Sequence, residues 1–138
     1  MNRGPYIHSG TTIRVLMIQA LAALSPVLAA AVWRYGSHAV VLIVSAVVAA
    51  FVTDVLFDHR RAFDLSAVLA GAIFACLLPE NAPWWLAALG GAIAIGIGKH
   101  WYGGLGQNPF NPAALARVLL MGLLPVYFFA PSWTLDGV

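Results

Sequence analysis

Apolar and polar positions in this chain separate into long blocks instead of alternating within elements. Five apolar stretches, at residues 15–33, 39–57, 65–78, 84–98 and 113–130, are divided by short polar segments. The first, second and fifth run to 19, 19 and 18 residues, close to the roughly 20 that a helix needs to cross a hydrocarbon core. The third and fourth have 14 and 15, which is short for a straight span. Two accounts stay open for them. Tilting, local thinning or the flanking Trp84, Trp85 and Trp101 can extend the apolar length. Alternatively the pair are broken or re-entrant half-helices, which place backbone ends inside the membrane.

The boundaries carry their own chemistry. Asp64 stands where its carboxylate can cap the third helix. Asn111-Pro112 opens the fifth, with Asn as cap and Pro at the first helical position, where its missing N–H costs nothing. Pro26 and Pro125 lie inside apolar stretches and predict kinks. Gly90, Ala94 and Gly98 recur every four residues, giving the fourth stretch a face that another backbone can approach. The first stretch is longer than the apolar core of a secretory signal and four more follow, so it reads as a first span.

Composition turns this pattern into a class. The apolar fraction is 62% and the charged fraction 9% over 138 residues, against about 45–50% and about 25% in soluble domains. Mean hydropathy is +0.87. So few charges cannot cover a soluble globule, and a disordered chain would be poor in apolar residues. The fold class expected is all-α integral membrane, with about five transmembrane or half-transmembrane helices in a single membrane domain over residues 1–138. The basic residues form no run or stripe, which argues against a nucleic-acid partner. With one cysteine, Cys76, in an apolar run, no intrachain disulfide can form, and Cys76 reads as a small packing residue.

Charge placement sets an orientation. With a cytoplasmic N-terminus, Arg3, Arg14, Arg60, Arg61, Lys99 and Arg117 fall inside and only Arg34 outside, a strong positive-inside asymmetry. Residues 1–14 are then a cytoplasmic N-terminus, 15–130 the helical bundle with a cytoplasmic loop at 99–112, and 131–138 a periplasmic end.

Few residues offer chemistry. Asp54 is a carboxylate near the cytoplasmic end of the second span, a functional candidate by default. It lies one turn from Asp58 and close to Arg60 and Arg61, so an interfacial ion pair there is the expectation. His8, His38, His59 and His100 fall at predicted loops or interfaces, with no metal-ligand spacing within one span. Nothing makes a Ser-His-Asp arrangement or a paired carboxylate site, so a self-contained enzyme is not indicated and no catalytic residue is assigned. The richest segment is Tyr102-Gly103-Gly104-Leu105-Gly106-Gln107-Asn108-Pro109-Phe110-Asn111-Pro112-Ala113. Its glycines allow close approach, two amides lie three residues apart, and a helix N-terminus follows with its partial positive charge. Such a loop can hydrogen-bond a heterocycle or an anion. On the residues alone, capping by Asn111 and a glycine turn are the favoured account, since capping is common. No strand precedes Gly104-Leu105-Gly106, no third glycine completes a dinucleotide fingerprint, and no Gly-Lys-Ser/Thr follows, so a nucleotide loop is excluded.

That twelve-residue segment resembles the signature of the D subunit of Rnf electron-transport complexes, and the B subunit of the sodium-translocating NADH:quinone reductase carries a version of it. Pro5-Tyr6-Ile7-His8, Asp64-Leu65-Ser66-Ala67 and Pro83-Trp84-Trp85 resemble the family's start and its third and fourth helices. Ala114-Leu115-Ala116-Arg117 is closer to the quinone-reductase version. The resemblance implies a multi-pass subunit of the bacterial inner membrane in a complex that passes electrons and moves Na⁺ or H⁺. Its partners would be other membrane subunits and flavin or iron–sulfur subunits of an Rnf- or Nqr-type complex. It implies a non-covalent flavin, riboflavin or FMN, bound near Asn108 and Asn111, with Gly103, Gly104 and Gly106 shaping the approach. It also implies two inverted five-helix repeats of urea-transporter-like architecture, of which this chain, less than half the usual length, would be the N-terminal one. A covalent FMN in the family sits on a threonine after an Asp-Gly pair. Here Asp136-Gly137-Val138 ends the sequence, and Thr11, Thr12, Thr53 and Thr134 are wrongly placed, so no covalent FMN is expected on these residues. Half of a solute channel or transporter on the same scaffold, or a redox-silent assembly subunit, are the alternatives.

Overall fold

The computed structural model describes residues 12–57, 64–103 and 109–129. Every described element is a helix. In chain order they are α1 (Ile13–Tyr35), α2 (Ser37–Phe57), α3 (Ser66–Cys76), α4 (Trp84–Ile95) followed by a π-helical turn (Gly96–His100), α5 (Pro112–Leu123) and α6 (Pro125–Phe129).

The two long helices have 23 and 21 residues, about 35 and 32 Å at 1.5 Å per residue. Both are long and apolar enough to cross a membrane, which is consistent with the membrane protein that the apolar composition implies. The Thr12 hydroxyl caps α1 by accepting from the Val15 N–H at 3.4 Å. Pro26 sits inside α1 without ending it, and Gly36 closes it at φ 63°, a conformation that suits a residue without Cβ.

The core is built by small residues. On α2 the buried positions are Ala39, Leu42, Ala46, Ala50 and Asp54, the three-to-four spacing of one helix face. Glycines of α3 and α4 are seated on this face. A Cβ on Gly71 would lie 2.8 Å from the Val47 Cα, and one on Gly91 would run into the Ala46 carbonyl. On the face expected from Gly90, Ala94 and Gly98, the Phe74 ring fills the space at Gly90 and Pro112 of α5 lies against Gly98. Phe74, Leu86, Ile95 and Leu120 are the large, fully buried side chains that fill what remains.

The short middle helices differ from each other. With 11 residues, α3 is about 17 Å long, roughly half a hydrocarbon core. In contrast, α4 continues through the π-helical turn to His100, so residues 99 and 100 are helical and not part of a loop starting at 99. The fifth stretch is broken where a kink was expected. It ends as α5 at Leu123, Leu124 leaves helical geometry at φ −131° and ψ 57°, and α6 starts at Pro125. Proline lacks the N–H and disfavours helical backbone in the residue before it, which accounts for the break at Leu124. Cys76 is exposed at the end of α3 and not packed in the core, because the helix stops there and the chain turns away.

Candidate functional site

The π-helical turn is the local feature that builds the site. Its signature bond runs from the Trp101 N–H to the Gly96 carbonyl, at 3.2 Å. A wider turn holds more residues per revolution, so the consecutive Lys99 and His100 are brought to a common side. Such turns occur often at functional sites. Both side chains reach the same carboxylate on α2. The Lys99 ammonium donates to Asp54 Oδ1 at 2.8 Å and Oδ2 at 2.9 Å, and to Ser66 Oγ at 2.8 Å. His100 Nε2 lies 2.7 Å from Asp54 Oδ1, and its ring stacks on Phe57 at 4.9 Å. Ser66 in turn donates its hydroxyl to Asp64 Oδ1 at 2.6 Å, and its N–H donates to the same oxygen at 2.9 Å. Asp64 Oδ2 is 3.7 Å from the ammonium.

The cluster is withdrawn from solvent. Side-chain exposure is 1% for Asp54 and 5% for Lys99, rising to 14% for His100 and 19% for Asp64. A buried charge is tolerable only when paired and hydrogen-bonded, and here three donors of Lys99 meet three oxygens. The carboxylate of Asp54 is held by groups 45 and 46 residues away in sequence.

This corrects the expected role of Asp54. Its partner is Lys99, and Arg60 and Arg61, the expected partners, lie outside the described residues, as does Asp58. Lys99 is a buried helical residue and not a cytoplasmic loop charge. The sequence did hold a signal: Asp54 continues the Leu42, Ala46, Ala50 stripe at the same spacing, so the small-residue face predicts its burial.

The loop residues are only partly described. Asn111 caps α5, its Oδ1 accepting from the Ala113 N–H at 3.0 Å, as its sequence position implies. Gly103 adopts φ 100°, open to glycine far more than to other residues. Gly104, Gly106 and Asn108 lie outside the described residues. Asn111 and the charged cluster share a cavity of about 250 Å³, where Lys99, Ser66 and Asn111 meet apolar walls from Met17, Leu69 and Ile95. Asn111, singled out by the family resemblance, and the unforeseen Lys99 are thus neighbours across one space.

Compared with known proteins, the chain matches the NQR2, RnfD, RnfE family over residues 1–138. It belongs to that family. Among curated relatives, this NQR2/RnfD/RnfE chain is 41% identical to the D subunit of the ion-translocating oxidoreductase complex of Rhodobacter capsulatus, over 97% of this chain and 40% of that protein. It is 40% identical to the protein of the same name from Salmonella newport, over 94% of this chain and 38% of the relative. The chain therefore spans about two fifths of the length of these relatives.

Proposed function

We propose that this NQR2/RnfD/RnfE chain serves in a membrane subunit of an Rnf-type, ion-translocating electron-transport complex of a bacterial inner membrane. One observation carries the reading: 41% identity over 97% of the chain to a protein named as the D subunit of an ion-translocating oxidoreductase complex. In this reading the chain works beside other membrane, flavin and iron–sulfur subunits, and its helices form one repeat of an inverted pair. The half-length α3 supports that arrangement.

The second part of the proposal is a non-covalent flavin, riboflavin or FMN, near Asn108 and Asn111, of which Asn111 borders the cavity. The residues fit a flat heterocycle in kind: apolar walls for its faces, the Asn111 amide beside them, and a helix N-terminus with partial positive charge. A bound flavin would supply the electron-carrying chemistry. The chain's part is to hold and orient it. Asn108 and Asn111 would offer amide hydrogen bonds, while Met17, Leu69 and Ile95 keep water from the cavity. The covalent FMN threonine of the family is not among the four threonines in a fitting position.

Orientation follows from the basic residues. With Lys99 paired inside the protein, five arginines remain on the expected cytoplasmic side against Arg34, and the asymmetry still favours a cytoplasmic N-terminus and a periplasmic end. A cysteine placed at position 107 should label from the cytoplasmic side, and labelling from the periplasm alone would reverse the topology.

Flavin extraction from the purified complex, with the spectrum assigned to this subunit, tests the cofactor. Asn108→Leu with Asn111→Leu should lose the non-covalent flavin while the subunit stays inserted. Undiminished flavin in that double variant would end the idea. Loss of the whole subunit would point to the cap, whose removal costs about 0.5–2 kcal/mol.

A further inference from the structure

The Asp54–Lys99–His100 cluster is used by neither the family resemblance nor the flavin reading, and its charge count is unusual. Asp54 and Asp64 supply two negative charges, and Lys99 one positive charge, within a web of hydrogen bonds and one longer contact. Among the described residues the sum is −1 with a neutral His100 and zero with a protonated His100. In a low-dielectric interior a balanced set is far less costly than an unbalanced one.

The geometry says which atom exchanges the proton. Asp54 accepts from Lys99 through both oxygens, so it acts as a carboxylate. His100 Nε2, 2.7 Å from Oδ1, must then donate, which fixes the neutral tautomer with Nδ1 as the proton-accepting position. His100 is more exposed than the two residues it completes, at 14% against 1% and 5%, and is the member best placed to meet solvent. From the other side, Lys99 and Ser66 border the cavity. Charges facing the site are few among the described residues: α2 contributes Asp54, the segment before α3 contributes Asp64, and α4 contributes none. Arg117 of α5 lies over the Phe128 ring instead, at 5.7 Å.

We propose that Asp54, Lys99 and His100 form a proton-binding site within the membrane domain, in which His100 Nδ1 takes up and releases one proton against the Asp54–Lys99 pair. On uptake an N–H bond forms at Nδ1 and the Nε2–H stays on Asp54. On release that proton returns to water and the cluster carries one net negative charge. This does not depend on a flavin.

The test is ¹⁵N NMR of histidine-labelled protein in lipid nanodiscs from about pH 5 to 8, the range in which histidine is suited to switch. His100→Gln identifies the ring signals, since Gln can still donate to Asp54 but does not titrate. In the unmodified protein the His100 ring should pass from one to two protons in this range. Asp54→Asn removes the facing negative charge and should lower the doubly protonated fraction at a fixed pH by roughly tenfold or more. Lys99→Gln removes the competing positive charge and should raise it. Opposite displacements are the signature of a charge-coupled site; a purely structural role would not produce them. A His100 ring locked in one state throughout would overturn the proposal, and so would the same titration in all foldable variants. If neither charge variant inserts stably, the titration of the unmodified protein decides alone.

Discussion

The two long helices α1 and α2 are nearly equal in length and both strongly apolar, yet they are used in opposite ways. Among the described residues α1 buries none of its positions, with Ile13, Leu16, Ile18 and Val27 all exposed. By contrast, α2 buries a stripe from Ala39 to Asp54 and meets α3 and α4 at backbone distance. Apolarity marks both as spans, but the placing of small residues against neighbouring glycines separates them. Where α2 carries alanine every turn, α3 and α4 answer with glycine, and van der Waals packing without a gap follows. Although α1 also carries alanines, none of the described glycines is seated against them and none of its residues is buried, so its surface suits lipid tails or another chain. The charged cluster can exist only on the α2 side, because only there is the packing close enough to pair Lys99 with Asp54 and exclude water.

The largest expected effect breaks that pairing. Lys99→Met leaves Asp54 in the interior with its main counter-charge gone, and should cost about 3–5 kcal/mol, the usual loss when one partner of a buried pair is removed. Adding Asp54→Leu removes the orphaned charge as well and should recover much of the loss. Thermal unfolding in one detergent compares the three proteins. If Lys99→Met unfolds with the unmodified protein, the pair is not holding α2 to the π-helical turn.

A smaller effect is expected at the glycines. Gly91→Val drives a branched side chain into the Ala46 carbonyl, and backbone cannot yield as a side-chain tip can, so about 1–3 kcal/mol should be lost. Gly122 of α5 is the contrast, with no atom within 4 Å of an added Cβ. Gly122→Ala should stabilise by about 0.4–1 kcal/mol through the unfolded chain. Equal effects at the two sites would show that the α2–α4 approach is looser than described.

These residues also show how far the sequence could be read. Helix positions, the Asn111 cap and the Asp64 carboxylate at the start of α3 are local properties, set by spacing and by side-chain chemistry within a few residues. All were legible. The Asp54–Lys99 pair was not, since 45 residues separate its members and sequence offered nearer arginines. The π-helical turn was equally hidden. Glycine at positions 96 and 98 permits it, but no motif announces an extra residue in a turn. The break at Leu124 lay between these cases: Pro125 marked the place, but Pro26 inside the unbroken α1 shows that a proline in the sequence does not by itself tell a kink from a stop. Of the loop residues assigned to a flavin, Asn111 and Gly103 behave as their types imply, and their role toward a ligand is a matter for the extraction experiment.

The smallest effect is expected on α1, and it sharpens the comparison most. Leu42→Ala on α2 removes a side chain that is 6% exposed and should cost about 2–5 kcal/mol, as buried leucines do. Leu16→Ala on α1 removes one that is 49% exposed, and a surface change of that kind stays within about 0.5 kcal/mol. Both substitutions delete the same atoms from helices of the same character, so helix propensity cancels and only packing differs. The difference should therefore appear directly in the unfolding temperatures of the two variants. A Leu16→Ala loss as large as that of Leu42→Ala in the isolated protein would mean that α1 is packed more closely than its exposure implies. If instead Leu16→Ala is silent in the isolated protein but weakens recovery of an intact complex, the open face of α1 is where another subunit sits. The same small change would then separate a lipid-facing helix from an assembly surface.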